Sequence, residues 1–82
     1  MMRSKVNSVK AGSYVFQPTE YDNDGNLLCS LYRCRNNGRD CVLRGIYDFN
    51  EEKFTILHVK DGWLSRSHKR ILDYFLKEYD WL

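Results

Sequence analysis

The chain has 82 residues, which is enough for one domain with one hydrophobic core. Its 43% hydrophobic and 15% aromatic content is typical of a folded domain and excludes an intrinsically disordered chain. Thirteen Lys and Arg residues against eleven Asp and Glu give a net charge of +2, a surplus too small to indicate nucleic acid or an anionic membrane by itself.

Apolar runs and cysteines indicate the compartment. No apolar run approaches the roughly 18 to 20 residues that a membrane helix needs, and residues 1–12 contain no apolar block like that of a signal peptide. The three cysteines form no CxxC motif and no paired Cys/His spacing, which favours reduced thiols over a disulfide framework or a zinc site. We therefore expect a soluble cytoplasmic protein with no membrane partner.

Residues 1–12 are predicted to be a flexible basic arm, because they mix Arg3, Lys5 and Lys10 with small polar residues and show no period. Residues 13–82 are predicted to form a single α+β domain. Its first strand, residues 13–20, contains Pro18, which cannot donate a hydrogen bond to a ladder, so we expect this strand at a sheet edge.

A dense turn signal, residues 22–26, follows the first strand, and Asp24-Gly25 suits the two positive φ values of a type I′ hairpin. Asp22, Asp24 and Asn26 alternate like the first ligands of a calcium loop. However, Leu27 occupies the sixth position, where that loop needs glycine, and Arg33 the twelfth, where it needs glutamate. We predict a hairpin and no metal site.

The central hairpin consists of residues 27–35 and 40–49, joined around Asn37-Gly38, the strongest two-residue turn signal in the chain. With that dipeptide at the centre of the turn, Asn36 opposes Arg39. Counting outward predicts four further cross-strand pairs: Cys34 with Cys41, Tyr32 with Leu43, Ser30 with Gly45, and Leu28 with Tyr47. A cross-strand disulfide between Cys34 and Cys41 is possible in this register, but buried thiols are favoured.

A fourth strand over residues 54–60 would follow a four-residue loop that sets Phe49 against Phe54. After it, apolar residues recur with helical spacing from Leu64 to Leu82, and Ser65 or Ser67 is suited to cap that helix. The predicted fold is therefore a four-stranded antiparallel β-meander with one long C-terminal α-helix packed on one face. We expect the helix on the face that carries Tyr32, Leu43, Tyr47, Phe54 and Ile56.

The predicted uncovered face is the leading candidate for a binding surface, because one helix covers only one side of a sheet. Apolar residues interspersed with arginines on such a face are typical of a protein interface, with another protein or with a second copy. The predicted partner-binding residues are Leu31, Arg33, Arg35, Val42, Arg44, Ile46, Leu57 and Val59.

Two other functions stay open. A nucleic-acid-binding module would use the arginines of the central hairpin and the cations at the helix start, namely Arg33, Arg35, Arg39, Arg44, Arg66, Lys69 and Arg70. A small hydrolase or ribonuclease would use His58, which in the predicted register faces Gly45 and a small recess.

The sequence indicates no cofactor and no catalytic motif, so the favoured interpretation is a small cytosolic, non-enzymatic binding or regulatory protein. The order of elements, a meander followed by a helix, also occurs in compact phage and mobile-element products. That is an analogy of fold and carries no functional weight.

Overall fold

The computed structural model describes residues 8–79, which form an α+β fold of five antiparallel strands followed by one helix. The strands lie in the sheet in sequence order, so each connection joins neighbouring strands. No helix within residues 8–79 is long and apolar enough to cross a membrane. The elements are β1 (Val9–Ala11), β2 (Tyr14–Tyr21), β3 (Leu27–Arg35), β4 (Gly38–Asp48), β5 (Lys53–Val59), a 3-10 turn (Lys60–Gly62) and α1 (Arg66–Glu78).

The predicted α+β class, antiparallel meander and C-terminal helix are confirmed, but the sheet has five strands, so the predicted number of four is wrong. The additional strand is β1, which lies where the sequence suggested a flexible arm. Three residues are too few to show a period, and β1 forms because Gly12, at a φ of 60°, turns the chain back onto β2. Residues 1–7 lie outside the described residues.

Pro18 shows why β2 tolerates a proline although it lies between two strands. Among residues 8–79, β1 pairs only with Tyr14, Val15 and Phe16, so within this part of the chain β2 is a sheet edge at Pro18, on the side away from β3. A missing N–H costs little there. The expected edge position therefore holds for part of the strand.

The turn between β2 and β3 is organised by Asp22 and does not have the predicted type I′ geometry. The carboxylate of Asp22 accepts hydrogen bonds from the backbone N–H groups of Asp24 and Asn26, each at 2.9 Å. Gly25 has a positive φ of 83°, whereas Asp24 is not among the residues with positive φ. The hydrogen bonds to the Asp22 carboxylate thus stabilise a turn in which only Gly25, and not Asp24, has a positive φ.

The β3–β4 turn is centred one residue earlier than predicted. Arg35 pairs with Gly38, so Asn36 and Asn37 form the turn, and Gly38 takes the positive φ, at 138°. Near the tip, Cys34 therefore pairs with Arg39 and not with Cys41. Because the shift is an even number of positions, Cys34 and Cys41 still share one face of the hairpin, as predicted.

A β-bulge at Val42 then reverses the faces beyond it. Tyr32 pairs with Cys41 and Leu31 with Leu43, which leaves Val42 as an extra residue in β4. Past this point Ser30 pairs with Arg44 and Leu28 with Ile46, so the predicted pairs of Ser30 and Leu28 are wrong. A single extra residue in one strand exchanges the faces to which the following side chains point. No residue type in the sequence indicates that a bulge occurs at this position.

A second bulge, at Leu57, separates two registers of the β4–β5 pair. Arg44 pairs with His58, whereas Gly45 pairs with Ile56. At the far end Tyr47 pairs with Phe54, so the predicted Phe49–Phe54 pair is wrong. The bulge places Leu57 and His58 on the same side of the sheet, where both border one groove.

The hydrophobic core lies between α1 and one face of the sheet. Ser65 caps the helix, as predicted for one of two serines: its Oγ accepts a hydrogen bond from the N–H of His68 at 3.2 Å. Phe75 of α1 stacks on Phe16 of β2 with ring centroids 5.7 Å apart. The buried core residues are Phe16, Leu27, Cys29, Leu31, Val42, Leu43, Leu72 and Phe75.

The helix covers a different set of residues from the predicted one. Leu43, Phe54 and Ile56 do belong to the core side, as expected. Leu31 and Val42, which the sequence placed on the uncovered face, are core residues as well, whereas Tyr32 lies on the other side of the sheet. The bulge at Val42 causes this exchange. Because β4 contains one extra residue there, the β3 residues that share a face with Leu43 differ from those predicted for an unbulged pair.

Candidate binding surfaces

The face of the sheet opposite α1, called the open face below, is built from the side chains that alternate with the core residues. No other element within residues 8–79 lies on it, since α1 packs on the opposite side. Its members, placed by strand register, are Lys10, Val15, Gln17, Glu20, Leu28, Ser30, Tyr32, Cys34, Arg39, Cys41, Arg44, Ile46, Asp48, Lys53, Thr55, Leu57 and His58.

A groove of about 430 Å³ runs across the open face. Leu57 lines this groove, and 61% of its surface is exposed. Beneath it Ser30 is 4% exposed, and Arg44 lies opposite the exposed His58. The groove therefore combines an apolar wall with a cation and an imidazole, as protein-binding sites commonly do.

The open face carries more positive than negative charge around its one aromatic ring in β3, Tyr32. The guanidinium of Arg39 lies over this ring, 4.5 Å from its centroid, a cation–π contact that holds both side chains in place. Lys10, Arg44 and Lys53 add three further cations to this face, which also carries two carboxylates, those of Glu20 and Asp48. The local potential is therefore positive.

His58 does not lie beside the predicted recess. It opposes Arg44, whereas Gly45 opposes Ile56. On the core side of Gly45 the ring of Phe54 occupies the space that a side chain would take. The predicted pairing of His58 with Gly45 is therefore wrong. The imidazole of His58 is nevertheless exposed and lines the groove.

The three cysteines are free thiols in two environments. Cys34 and Cys41 are half-buried on the open face, and because they do not oppose each other, the predicted juxtaposition is wrong. Cys29 is buried in the core, and desolvation by burial raises its pKa to about 12. It therefore remains protonated and serves as a small apolar core group.

A second concavity, called the cleft below, lies on the helix side between the tip of the β3–β4 hairpin and the connection from β5 to α1. Its volume is about 220 Å³. Asp61 and Gly62 both have positive φ, 65° and 80°, and this tight turn brings Lys60 and Trp63 to the cleft. The lining residues are Arg33, Arg35, Asp40, Val42, Lys60, Asp61, Trp63, Ser65 and His68.

Asp40 is the electrostatic centre of the cleft. The Nε of Arg35 donates a hydrogen bond to its Oδ2, and the Nζ of Lys60 lies 3.8 Å from the same oxygen. The hydrogen bond from Arg35 is the main cause that lowers the pKa of Asp40, and the charges of Arg35, Lys60 and Arg33 lower it further against partial desolvation. Three cations thus surround one carboxylate.

The predicted partner-binding set is divided by the structure. Arg44, Ile46 and Leu57 lie on the open face, whereas Arg33 and Arg35 line the cleft on the opposite side. The other three are not available as a surface patch: Leu31 and Val42 are 0% and 4% exposed in the core, and Val59 packs against it.

The predicted nucleic-acid-binding set is divided in the same way. Arg39 and Arg44 lie on the open face, and Arg33 and Arg35 in the cleft. The other three are exposed side chains of α1, where Lys69 is paired with Asp73 at 2.9 Å. These cations are Arg66, Lys69 and Arg70.

Sequence reasoning missed several residues that the structure brings together. Leu28, Tyr32 and His58 were placed on the helix side but belong to the open face. Trp63 has no assigned role in the sequence analysis, because it lies between a strand pattern and a helix pattern and fits neither. Lys60 is the last residue of the predicted fourth strand and is not predicted to bind a partner. The one available signal was Trp63 itself, a large aromatic residue next to a turn, which is 67% exposed.

Within residues 8–79 no group of three or more His, Cys, Asp and Glu side chains is arranged to hold a metal ion. Neither a protein-family model, nor a curated protein, nor a solved structure matches this chain.

Proposed function

We propose that this protein is a small, non-enzymatic binding protein that contacts another protein through its open face. The observation that carries the proposal is the exposed Leu57 beside the groove, on a sheet face that no described element covers. The same groove is lined by Arg44 and Tyr32, and arginine and tyrosine are the residue types enriched at the centres of protein interfaces.

Charge complementarity favours an acidic partner over a second copy of the chain. In a two-fold symmetric dimer the same patch faces itself, so the cations of one open face would meet those of the other. Lys10, Arg39 and Arg44 would then repel their counterparts, whereas a partner with carboxylates around an apolar centre would pair with them. The expected complex is therefore heteromeric.

We also propose a cytosolic location, because Cys29, Cys34 and Cys41 are free thiols, which suits a reducing compartment. The two alternative functions receive less support. The predicted nucleic-acid-binding residues do not form one surface, and the predicted recess beside His58 is filled. Of the sites described above, the cleft is the one in which several cations and an aromatic ring lie together, as a phosphorylated ligand would require.

Affinity purification from native cells, with paired variants, tests the proposal. Leu57→Asp combined with Arg44→Glu changes the centre of the open face at two exposed positions, so the fold should persist. Lys69→Glu combined with Arg70→Glu is the control on the exposed side of α1. We expect a defined partner to co-purify with the wild type and the control but not with the open-face variant.

Three results would contradict the proposal: no partner at all, equal recovery with both variants, or loss with the control variant alone. Sedimentation equilibrium of the purified protein distinguishes the second-copy alternative. A dimer that the Leu57→Asp, Arg44→Glu variant dissociates would replace the acidic partner by a second copy.

A further inference from the structure

We propose that the cleft is a nucleotide-binding site, in which Arg33, Arg35 and Lys60 bind phosphate and the indole of Trp63 stacks on the base. The site lies on the helix side of the sheet, opposite the open face, and is independent of the function proposed above. The ligand is a phosphorylated molecule with an aromatic ring, either a free nucleotide or one unit of a single-stranded nucleic acid.

The cleft has more cationic than anionic side chains. Arg33, Arg35 and Lys60 line the cleft together with two carboxylates, Asp40 and Asp61. Among residues 8–79, no carboxylate lies within 4.0 Å of Arg33, whereas Arg35 and Lys60 share Asp40. Arg33 is therefore the side chain best placed to bind an external anion, and its guanidinium geometry suits phosphate oxygens.

Asp40 shows where an anion is stabilised in this cleft. The hydrogen bond from Arg35 lowers the pKa of Asp40 most, and the charges of Arg35, Lys60 and the more distant Arg33 lower it further, so the local potential favours negative charge. Its side chain is 38% exposed, which leaves the surrounding cations accessible from solvent. An incoming phosphate would compete with Asp40 for Arg35 and Lys60, so Asp40 should weaken binding and not support it.

Trp63 adds the recognition of an aromatic ring. Its side chain lines the cleft and is nevertheless 67% exposed, so it contributes little burial to the fold. It follows a turn in which Asp61 has a left-handed φ of 65°, a conformation that few non-glycine residues adopt. Aromatic side chains next to cations are the common platform for bases of single strands.

Isothermal titration calorimetry with ATP, tripolyphosphate and a mixed-sequence single-stranded oligonucleotide tests the site. Arg33→Gln should weaken ATP binding about tenfold or more, since a charged hydrogen bond to phosphate is lost. Arg70→Gln is the matched control, because it removes the same charge from an exposed arginine of α1 that does not line the cleft. We expect this control to change the affinity less than about threefold.

Two further variants separate the roles of charge and ring. Asp40→Asn should strengthen ATP binding about fivefold, since it removes a competing charge a few ångströms from the phosphate. Trp63→Ala should weaken ATP binding about fivefold or more and leave tripolyphosphate binding unchanged. All four positions are polar or exposed, and thermal melts will show that each variant is folded.

Fluorescence locates the ligand directly. The sequence has two tryptophans, so a Trp81→Phe protein reports Trp63 alone, and ATP should quench its emission. The ligand's source follows from the probes: saturable binding of ATP indicates a free nucleotide, whereas binding of the oligonucleotide alone, falling steeply with salt, indicates a single strand. The proposal is overturned if neither probe binds, if tripolyphosphate binds as tightly as ATP, or if Arg33→Gln and Arg70→Gln have equal effects.

Discussion

Gly45→Ala is the substitution for which the structure gives the sharpest stability prediction. Gly45 is a buried residue of β4 opposite Ile56. A Cβ added there would lie 2.5 Å from Cε2 of Phe54, closer still to Cζ of the same ring, and 2.6 Å from the carbonyl oxygen of Thr55. Ordinary carbon contacts are about 3.5 to 4.0 Å, so the overlap is about 1 Å.

The magnitude follows from what can move. The ring of Phe54 packs in the core near Phe16, with centroids 6.1 Å apart, and the Thr55 oxygen belongs to the backbone of the neighbouring strand. Overpacking of this kind costs about 1 to 3 kcal/mol, and the smaller entropy of an unfolded chain with alanine offsets about 0.5 kcal/mol. For a domain of this size we expect the melting temperature to fall by roughly 5 to 15 °C.

A double-mutant cycle with Phe54→Leu provides the control for Gly45→Ala. Leucine removes the ring atoms that a Cβ would meet but leaves the Thr55 oxygen, so the two substitutions together should destabilise the protein less than the sum of their separate effects. The assay is chemical denaturation monitored by circular dichroism, at matched slope of the unfolding transition. A Gly45→Ala protein at least as stable as the wild type, or an additive cycle, would refute the packing described here.

Three further predictions concern other parts of the fold. In the native protein, Cys34 and Cys41 should be alkylated quickly and Cys29 slowly, because burial raises its pKa to about 12; mass spectrometry of the labelled peptides would show equal rates if this burial were wrong. Ser65→Ala should lower the free energy of unfolding by about 1 kcal/mol through loss of the helix cap, and an unchanged denaturation midpoint would contradict that role. Since the folded-state pKa of Asp40 is lowered, its contribution to stability is present above its ordinary pKa and is lost as the pH falls through the lowered value. Asp40→Asn should therefore be less stable than the wild type at neutral pH and equal to it in strong acid, and a deficit that persists in acid would argue against the ion pair.

The central β-strands and the helix follow from patterns that sequence reasoning detects well. Alternating apolar residues specified β3, β4 and β5 as strands, and helical spacing with a serine cap specified α1. Tertiary pairing was needed for β1, whose three residues carry no pattern of their own. A strand this short forms only where another strand, here β2, offers unpaired backbone groups, and the sequence of β1 alone does not indicate that pairing.

The candidate site was harder to predict, because it depends on register. The bulges at Val42 and Leu57 each insert one residue, and each insertion moves the following side chains to the other face. Leu31 thereby belongs to the core, and Tyr32 and His58 to the open face. The residue types in the predicted surface were plausible for binding, but only the pairing determines which of them share a face.

The most direct test of binding through the open face is alkylation of Cys34 and Cys41 within the complex isolated from native cells, because both thiols lie on that face. If a partner covers that face, both cysteines should react more slowly in the complex than in the purified protein. The Leu57→Asp, Arg44→Glu variant, isolated in parallel, should react at the rate of the free protein. Equal reaction rates in the isolated complex and the purified wild-type protein would place the partner elsewhere and contradict the proposed binding surface.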